Sequence, residues 1–364
     1  GNRDRDQYHC NDHTDALPRT DNESHSDADC ARSCTHCRCL PGSIRRNRGF
    51  PEAEEGCLIA GYYSHPYLIR KGKIPENMTE PARDEHVIEA IGKARVVIRN
   101  GKVISVGEPL ISECPLARRF GKPVPVITPG AIGENMEYRI RAFGMCTPDR
   151  AIEADGDYVG FGASELLSCG LSSGLLDCVV IACDGAGTVI VTRPSLVQGI
   201  GGRMSGLVRT SPIPQVIRRI QEKGGTVCDP AAASIDQAGG VRMAREMGYS
   251  RIGVTVASAG DARSVREEYP GTLVIAVHTT GVTEEEARIL ATSADIITAC
   301  ASRHVRNVAG PRALLQAGVS IPVFAMTRAG KDLILEKVRQ APARVVISNA
   351  QLPATHGVEP QPLV

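Results

Sequence analysis

The sequence predicts an α/β fold in which a doubly wound, mostly parallel sheet carries helices on both faces. From residue 151 to residue 353, apolar runs of strand length alternate with amphipathic segments of helix length. Most of these runs are apolar throughout, as strands are when both faces of a sheet are covered. Residues 84–150 contain a β-hairpin pattern, whereas residues 1–83 are polar, rich in cysteine and without a sustained period. We therefore divide the chain into an extension at 1–83, expected to be largely disordered, the first part of the core at 84–150, the α/β domain at 151–353 and a tail at 354–364.

The core begins with a predicted helix and a predicted hairpin. The apolar residues of 84–91 recur at helical spacing, which indicates a helix. Two apolar runs follow, at 94–99 and 102–106, on either side of Asn100-Gly101. Because Asn-Gly suits both positive-φ positions of a type I′ turn, these runs are predicted to pair as a hairpin.

The α/β domain is predicted from strand-length runs and the helical segments between them. Strands are expected at 157–161, 178–182, 225–227, 252–256, 273–277, 296–299 and 323–326. Helices are expected at 213–223, 236–247 and 283–293. In an open α/β sheet, ligands bind outside the carboxyl ends of the strands, so the residues that follow each strand are candidates for function. Cys183-Asp184, His278 and Cys300 follow three of these strands, and we expect them to lie at that edge.

A glycine-dense stretch, VQGIGGRMSGL at 197–207, is a candidate for binding an anionic group. Glycine lets the backbone approach a ligand and point several N–H groups at it, and Arg203 supplies a fork of donors for phosphate or carboxylate. The residues expected to hold such an anion are Gly185, Gly187, Thr188, Gln198, Gly199, Gly201, Gly202, Arg203, Thr279 and Thr280. In this hypothesis Cys183 is the nucleophile of an enzyme, and Asp184 or His278 handles protons. A flexible connector without a ligand has the same composition, so both interpretations stay open.

A second hypothesis assigns the thiols to a metal ion or an iron–sulfur cluster. Cys114 precedes Pro115, and Cys146 precedes Thr147-Pro148. A cysteine just before a helix N-terminus has a lowered pKa, and thiolates bind metal. The candidate ligands are Cys114, Cys146, Cys183 and Cys300. Their spacing contains no C-x-x-C pair, so only the fold can bring them together.

The extension has a cysteine cluster of its own, made of Cys30, Cys34, Cys37 and Cys39. Three of them have the C-x3-C-x2-C spacing of radical S-adenosylmethionine enzymes, but residues 22–29 do not form the strand that precedes that loop. Two interpretations stay open: a zinc or iron–sulfur knot that includes His36, and an extension without a role in the core. On the second, a chain that begins near Pro81 should fold as cooperatively as the full chain.

Composition argues against several partners. The 364 residues have a formal net charge of +1, no tryptophan and 4% aromatic residues, so neither phosphate contacts nor base stacking favours nucleic acid. No run of 18 apolar residues could cross a membrane, and no apolar stretch near residue 1 resembles an export signal. The thirteen cysteines are therefore interpreted as reduced thiols in a cytoplasmic protein.

Seven motifs, taken in order, resemble the methanogenesis marker protein 8 family. They are FGMCTPDR at 143–150, GFGASE at 160–165, CDGAGT at 183–188, VQGIGGRM at 197–204, IDQ at 235–237, VHTTG at 277–281 and TACAS at 298–302. The resemblance spans about 84–353 and leaves out the extension. It implies a cytoplasmic accessory role in methanogenesis, in maturing or activating methyl-coenzyme M reductase or its nickel cofactor. The implied partners are that enzyme or its maturation proteins. The resemblance implies no catalytic residues, and a module that binds a partner without catalysis stays open as a third hypothesis.

Overall fold

The computed structural model describes residues 84–204, 206–341, 344–355 and 357–364. The strands within them are β1 (Glu85–Glu89), β2 (Arg95–Arg99), β3 (Lys102–Val106), β4 (Cys178–Cys183), β5 (Gly187–Val191), β6 (Gly206–Arg209), β7 (Thr226–Val227), β8 (Ile252–Val256), β9 (Leu273–Ala276), β10 (Ile296–Thr298), β11 (Leu315–Ala317) and β12 (Val323–Ala325). The α-helices are α1 (Pro129–Phe143), α2 (Ala163–Ser172), α3 (Pro194–Ile200), α4 (Pro214–Glu222), α5 (Gln237–Glu246), α6 (Ala259–Glu268), α7 (Glu284–Ser293), α8 (Arg303–Val308) and α9 (Arg328–Gln340). The predictions for the extension, including its cysteine cluster, lie outside the described residues.

The smaller sheet has the order β3-β2-β1-β6 and is antiparallel throughout. Its hairpin between β2 and β3 is confirmed, since Asn100 and Gly101 have φ values of 49° and 68°. The helix predicted at 84–91 is wrong, because this segment forms β1. His86, Val87 and Ile88 are buried in succession there, so both faces of β1 are covered. A strand that is covered in this way does not show the alternation that identifies a strand from sequence.

The larger sheet has the order β11-β12-β10-β9-β8-β4-β5-β7 and is mixed. Strands β10, β9, β8 and β4 run parallel, whereas β12 and β11 on one side and β5 and β7 on the other join antiparallel. The prediction of a mostly parallel, doubly wound sheet therefore holds only for its centre. On the side of β5, the cause is a tight hairpin between β4 and β5, in which Gly185 and Gly187 adopt positive φ values of 82° and 68°. From the sequence, these glycines were expected to hold a ligand.

Helices cover both faces of the larger sheet, as predicted. Val179 and Ile181 of β4 pack on the side of α2, α3, α4 and α9, and Val180 packs on the side of α5, α6, α7 and α8. The helices predicted at 213–223, 236–247 and 283–293 correspond to α4, α5 and α7. None of the helices within the described residues combines the length and the apolar character that a membrane span requires.

The strand predicted at 157–161 is wrong. This segment is irregular and leads into α2, and its N–H groups find a side chain instead of a neighbouring strand. Glu165 Oε1 accepts hydrogen bonds from the amides of Tyr158 and Val159 at 3.0 and 3.2 Å. A buried carboxylate therefore satisfies the backbone where a sheet would otherwise do so.

Candidate active site

A histidine and a glutamate meet at the carboxyl edge of the larger sheet. His278 follows β9, and its Nε2 lies 2.9 Å from Oε2 of Glu89, the last residue of β1. This hydrogen bond is the main cause that lowers the pKa of Glu89, and the positive charges of His278, Lys93 and Arg95 add to it against the effect of burial. Because an ionised carboxylate only accepts hydrogen bonds, Nε2 of His278 donates to Glu89 in this contact. The described residues provide no hydrogen-bond partner for Nδ1 of His278.

The backbone of His278 is held in a conformation that non-glycine residues seldom adopt. Its φ is 59°, in the left-handed region, and the side chain is 11% exposed. Such strain costs roughly 1–3 kcal/mol and persists where the surroundings determine the geometry. The strained backbone is thus consistent with a functional position for the imidazole.

Gly206 lies against the imidazole of His278. A Cβ at this position would lie 2.7 Å from both Cδ2 and Nε2 of His278, closer than real side chains approach. Gly206 also pairs with Glu89 in the β1–β6 register, so the carboxylate and the glycine face the same ring. The glycine-dense stretch therefore includes a residue whose missing side chain makes room for His278.

Cys300 belongs to the loop that follows the adjacent parallel strand, β10. Three hydrogen bonds tie this loop to the loop of His278: Thr279 Oγ1 donates to the Thr298 carbonyl at 2.6 Å, Thr298 Oγ1 donates to the Ala276 carbonyl at 3.2 Å, and the amide of Ala301 donates to Thr280 Oγ1 at 3.4 Å. The hydroxyls of Thr279 and Thr280, which were expected to hold a ligand, thus join the two loops. Cys300 is half-buried, and its sulfur lies 3.8 Å from Thr298 Oγ1.

A buried arginine holds the Cys300 loop. Arg306 of α8 is 3% exposed and donates to the carbonyls of Cys300 and Ser320 at 3.1 and 3.2 Å. Its Nη1 forms an ion pair with Glu359. Burial lowers the pKa of Arg306, while the negative charges of Glu359 and of a Cys300 thiolate oppose that shift. The Nε of Arg306 has no hydrogen-bond partner among the described residues.

Cys183 and Asp184 are completely buried, and both carboxylate oxygens of Asp184 are occupied. Oδ1 accepts from Arg150 Nε at 2.8 Å, and Oδ2 accepts from the amide of Cys146 at 2.6 Å. Burial opposes ionisation, but the charge and hydrogen bond of Arg150 outweigh it and keep the pKa of Asp184 below its usual value. Burial, together with the charge of Asp184, raises the pKa of the Cys183 thiol far above its usual range. The catalytic roles expected for Cys183 and Asp184 find no support in this geometry, which instead forms a buried structural ion pair.

The other residues expected to hold an anion serve packing. Gly187 and Gly199 allow close backbone approach, since a Cβ would lie 2.3 Å from the Ala233 carbonyl oxygen and 2.2 Å from that of Ile152. Arg203 donates to the hydroxyl of Tyr158 and to the Ala151 carbonyl, each at 3.0 Å, and lies 4.4 Å above the centre of the Phe143 ring.

The same holds for the remaining members of that set. Thr188 Oγ1 donates to Gln237 Oε1 at 2.9 Å, and Gln198 Nε2 donates to the Gly156 carbonyl at 2.8 Å. A Cβ at Gly201 would lie 2.9 Å from Ser164 Oγ, and one at Gly202 would lie 2.8 Å from the Tyr158 ring. Gly185 donates its amide hydrogen to Thr210 Oγ1 at 2.7 Å. These residues therefore bond to, or pack against, other residues of the protein.

The lowered thiol pKa values expected for Cys114 and Cys146 are wrong. Burial raises the pKa of Cys146, which follows the end of α1 and does not precede a helix. Burial also raises the pKa of Cys114, although the amides of Ala117 and Leu116 act in the opposite direction. Within the described residues, no group of three or more His, Cys, Asp and Glu side chains is placed to hold a metal ion.

Residues 86–339 match the model of a family described as an uncharacterized protein conserved in archaea, DUF2099. The chain belongs to this family. It is also 41% identical, over 284 residues, to an uncharacterized protein of Methanocaldococcus jannaschii, in an alignment that covers 77% of this chain and all of that relative. No solved structure matches the chain.

The candidate site lies within the part that matches DUF2099, which includes Glu89, Gly206, His278, Cys300 and Arg306. Sequence inspection singled out His278 and Cys300 from their positions after strands, but it missed the other three. Glu89 gave no signal, because its strand was predicted as a helix and it lies 189 residues from His278. Glycine density did point to the neighbourhood of Gly206, although for a different reason.

Proposed function

We propose that this DUF2099 protein is a thiol-dependent enzyme of methanogenic archaea, in which Cys300 is the nucleophile and His278 takes its proton. The observation that supports this function is the hydrogen bond between Glu89 and His278, on a loop tied to that of Cys300. A thiol becomes a strong nucleophile when a nearby base accepts its proton and a third group orients that base. Glu89 fills the orienting role, since its hydrogen bond to Nε2 holds the imidazole and leaves Nδ1 as the ring nitrogen without a partner among the described residues.

The chemical step is a group transfer from a small electrophilic substrate. The thiol hydrogen of Cys300 passes to Nδ1 of His278, and the thiolate attacks an electrophilic carbon of the substrate. A sulfur–carbon bond forms, the bond from that carbon to the leaving group breaks, and the imidazolium returns the proton to the leaving group. A water molecule then attacks the same carbon and gives a proton to His278, and the sulfur–carbon bond breaks as that proton returns to the sulfur of Cys300. Glu89 stabilises the imidazolium while it exists.

The physiological setting we propose is methanogenesis. The relative from Methanocaldococcus jannaschii, a methanogen, supports this setting, as does the resemblance of seven motifs to methanogenesis marker protein 8. The chemistry would then serve the maturation or activation of methyl-coenzyme M reductase or of its nickel cofactor.

The test measures how fast iodoacetamide alkylates Cys300 as a function of pH, with the modified peptide quantified by mass spectrometry. An ordinary thiol shows an inflection near about pH 8.5. At pH values below that inflection, we expect iodoacetamide to alkylate Cys300 faster in the natural protein than in His278→Asn, because His278 accepts the thiol proton. Glu89→Gln should shift the profile part of the way.

Cys228 serves as the internal control. It is half-buried like Cys300, and burial raises its pKa to about 11. Its alkylation should not respond to either substitution. A profile for Cys300 that is the same in the natural protein and in His278→Asn would refute the proposed base.

Metal binding is the second candidate, and one observation favours it. Cys114 and Cys300 come from distant segments but lie close enough that a Cys300 thiolate adds to the raised pKa of Cys114. Anaerobic purification followed by iron, nickel and zinc analysis tests it. Metal that is present in stoichiometric amount and lost in Cys114→Ser and Cys300→Ser would support this function, and metal-free protein of full stability would exclude it.

A further inference from the structure

Residues 359–364 form a strap that joins the two loops bearing half-buried thiols. Gln361 exchanges backbone hydrogen bonds with Glu113, donating to its carbonyl at 3.0 Å and accepting from its amide at 3.1 Å. At the other end, Val364 donates to the Ala301 carbonyl at 2.9 Å and accepts from the amide of Arg303 at 2.8 Å. The sequence division into domains treated this segment as part of a tail, but here it is bound beside Cys114 and Cys300.

The strap also places a carboxylate on Arg306. Glu359 pairs with Nη1, and within the described residues it is the carboxylate that offsets the charge of this buried guanidinium. Burying a guanidinium is costly unless it is paired, so the site requires an anion. Glu359 satisfies only part of the fork, since Nε stays without a partner while Nη2 donates to the Cys300 and Ser320 carbonyls.

We propose that the strap is a lid over the Cys300 site, and that Glu359 occupies the place on Arg306 that an oxyanion of the substrate takes when the lid opens. The substrate is then a small electrophile with a carboxylate, sulfonate or phosphate group. Arg306 is a specificity-determining residue, because a planar guanidinium binds such groups through two donors. This inference rests on the proposed function for the identity of the reacting thiol.

The test compares two alkylating agents that differ in charge. Iodoacetate carries a carboxylate and iodoacetamide does not, so the ratio of their rates at Cys300 reports a positive charge available to the reagent. Glu359→Gln keeps the shape of the side chain and removes the charge that neutralises Arg306. We expect the ratio to rise about tenfold in this variant, the effect of one charge-assisted hydrogen bond.

Glu336→Gln is the matched control, since Glu336 pairs with Arg339 on α9 and the substitution changes net charge by the same amount. A ratio that is equal in Glu359→Gln and the natural protein, or that rises equally in Glu336→Gln, would overturn the proposal.

A second measurement uses the unmodified protein and does not depend on how the variant folds. Inorganic phosphate, added at saturating concentration, should speed amide hydrogen exchange at Gln361 and Val364 by displacing Glu359 from Arg306. Unchanged exchange would count against the lid. If His278→Asn leaves the alkylation profile unchanged while Glu359→Gln raises the iodoacetate ratio, the lid stands and the proposed catalytic function fails. The reverse pair of results rejects the lid alone.

Discussion

Replacing Gly206 with alanine should disconnect His278 from Glu89. The new Cβ would lie 2.7 Å from Cδ2 and Nε2 and 3.1 Å from Cγ of the imidazole. Carbon atoms in contact need about 3.5–4.0 Å, so the ring has to move by roughly 1 Å. A shift of that size away from Gly206 stretches the 2.9 Å hydrogen bond to Glu89 beyond the range of a hydrogen bond.

The loss has two parts. Overpacking costs about 1–3 kcal/mol, and a hydrogen bond to a charged group contributes about 1.5–3 kcal/mol. These two costs are not additive, because the ring escapes the steric clash by giving up the hydrogen bond. We therefore expect the free energy of unfolding to fall by about 2–3 kcal/mol, as measured by denaturant titration.

The same substitution should affect the chemistry of Cys300. Without Glu89 to orient it, the imidazole no longer offers a fixed Nδ1, and the pH profile of Cys300 alkylation should move toward that of His278→Asn. Gly260→Ala is the control: Gly260 lies on α6, and a Cβ there would have no neighbour closer than 3.8 Å. A Gly206→Ala protein with the stability and the alkylation profile of the natural chain would refute the reasoning.

Three further predictions concern the buried ion pair and the thiols. Asp184→Asn leaves Arg150 buried without a counter-charge, so the free energy of unfolding should fall by about 3–5 kcal/mol. Glu284→Gln at an exposed ion pair is the control and should change it by less than about 0.5 kcal/mol, as compared by denaturant titration. Because the folded-state pKa of Asp184 is lowered, its contribution to stability is present above the ordinary carboxyl pKa of about 4 and is lost as pH falls through the folded value. The melting temperature of the natural protein should therefore drop below about pH 4, and less steeply in Asp184→Asn. Burial raises the pKa of Cys178 to about 12, so in native protein at about pH 8 Cys178 should resist iodoacetamide while Cys300 reacts, a difference that unfolding should abolish. Equal alkylation rates of the two thiols in the native state would contradict Cys300 as the reactive thiol.

The sequence predicted the elements whose local pattern and tertiary environment agree. Asn100-Gly101 produced its hairpin, and the amphipathic segments became α4, α5 and α7 because their apolar stripes pack on the sheet. Strand β1 was missed because both of its faces are buried, so its apolar residues do not alternate and fit helical spacing as well. Strand β5 was missed because its turn glycines were assigned to the binding of an anionic group, and periodicity gives no information on strand direction.

The candidate site was predictable only in part. Position after a strand was sufficient to find His278 and Cys300. Which residues pair with each other was not predictable. Glu89 and His278 are 189 residues apart in the sequence, and Arg306 and Glu359 are 53 apart. The burial that closes off Cys183 and Asp184 comes from segments distant in sequence, such as the one that carries Cys146 and Arg150, and no local pattern encodes it.

The origin of Glu89 and His278 in different sheets has a consequence for how activity responds to partial unfolding. Glu89 comes from the four-stranded sheet and His278 from the loops of the eight-stranded sheet. Proteins open in cooperative units of unequal stability, and a small antiparallel sheet can separate while a larger one stays folded. Opening of the smaller sheet alone would withdraw both Glu89 and Gly206 from the imidazole, so the thiol would lose its activating base before the main core melts. Heat and denaturant should then abolish the reactivity of Cys300 before global unfolding. The alkylation rate of Cys300 therefore reports whether the two sheets are docked.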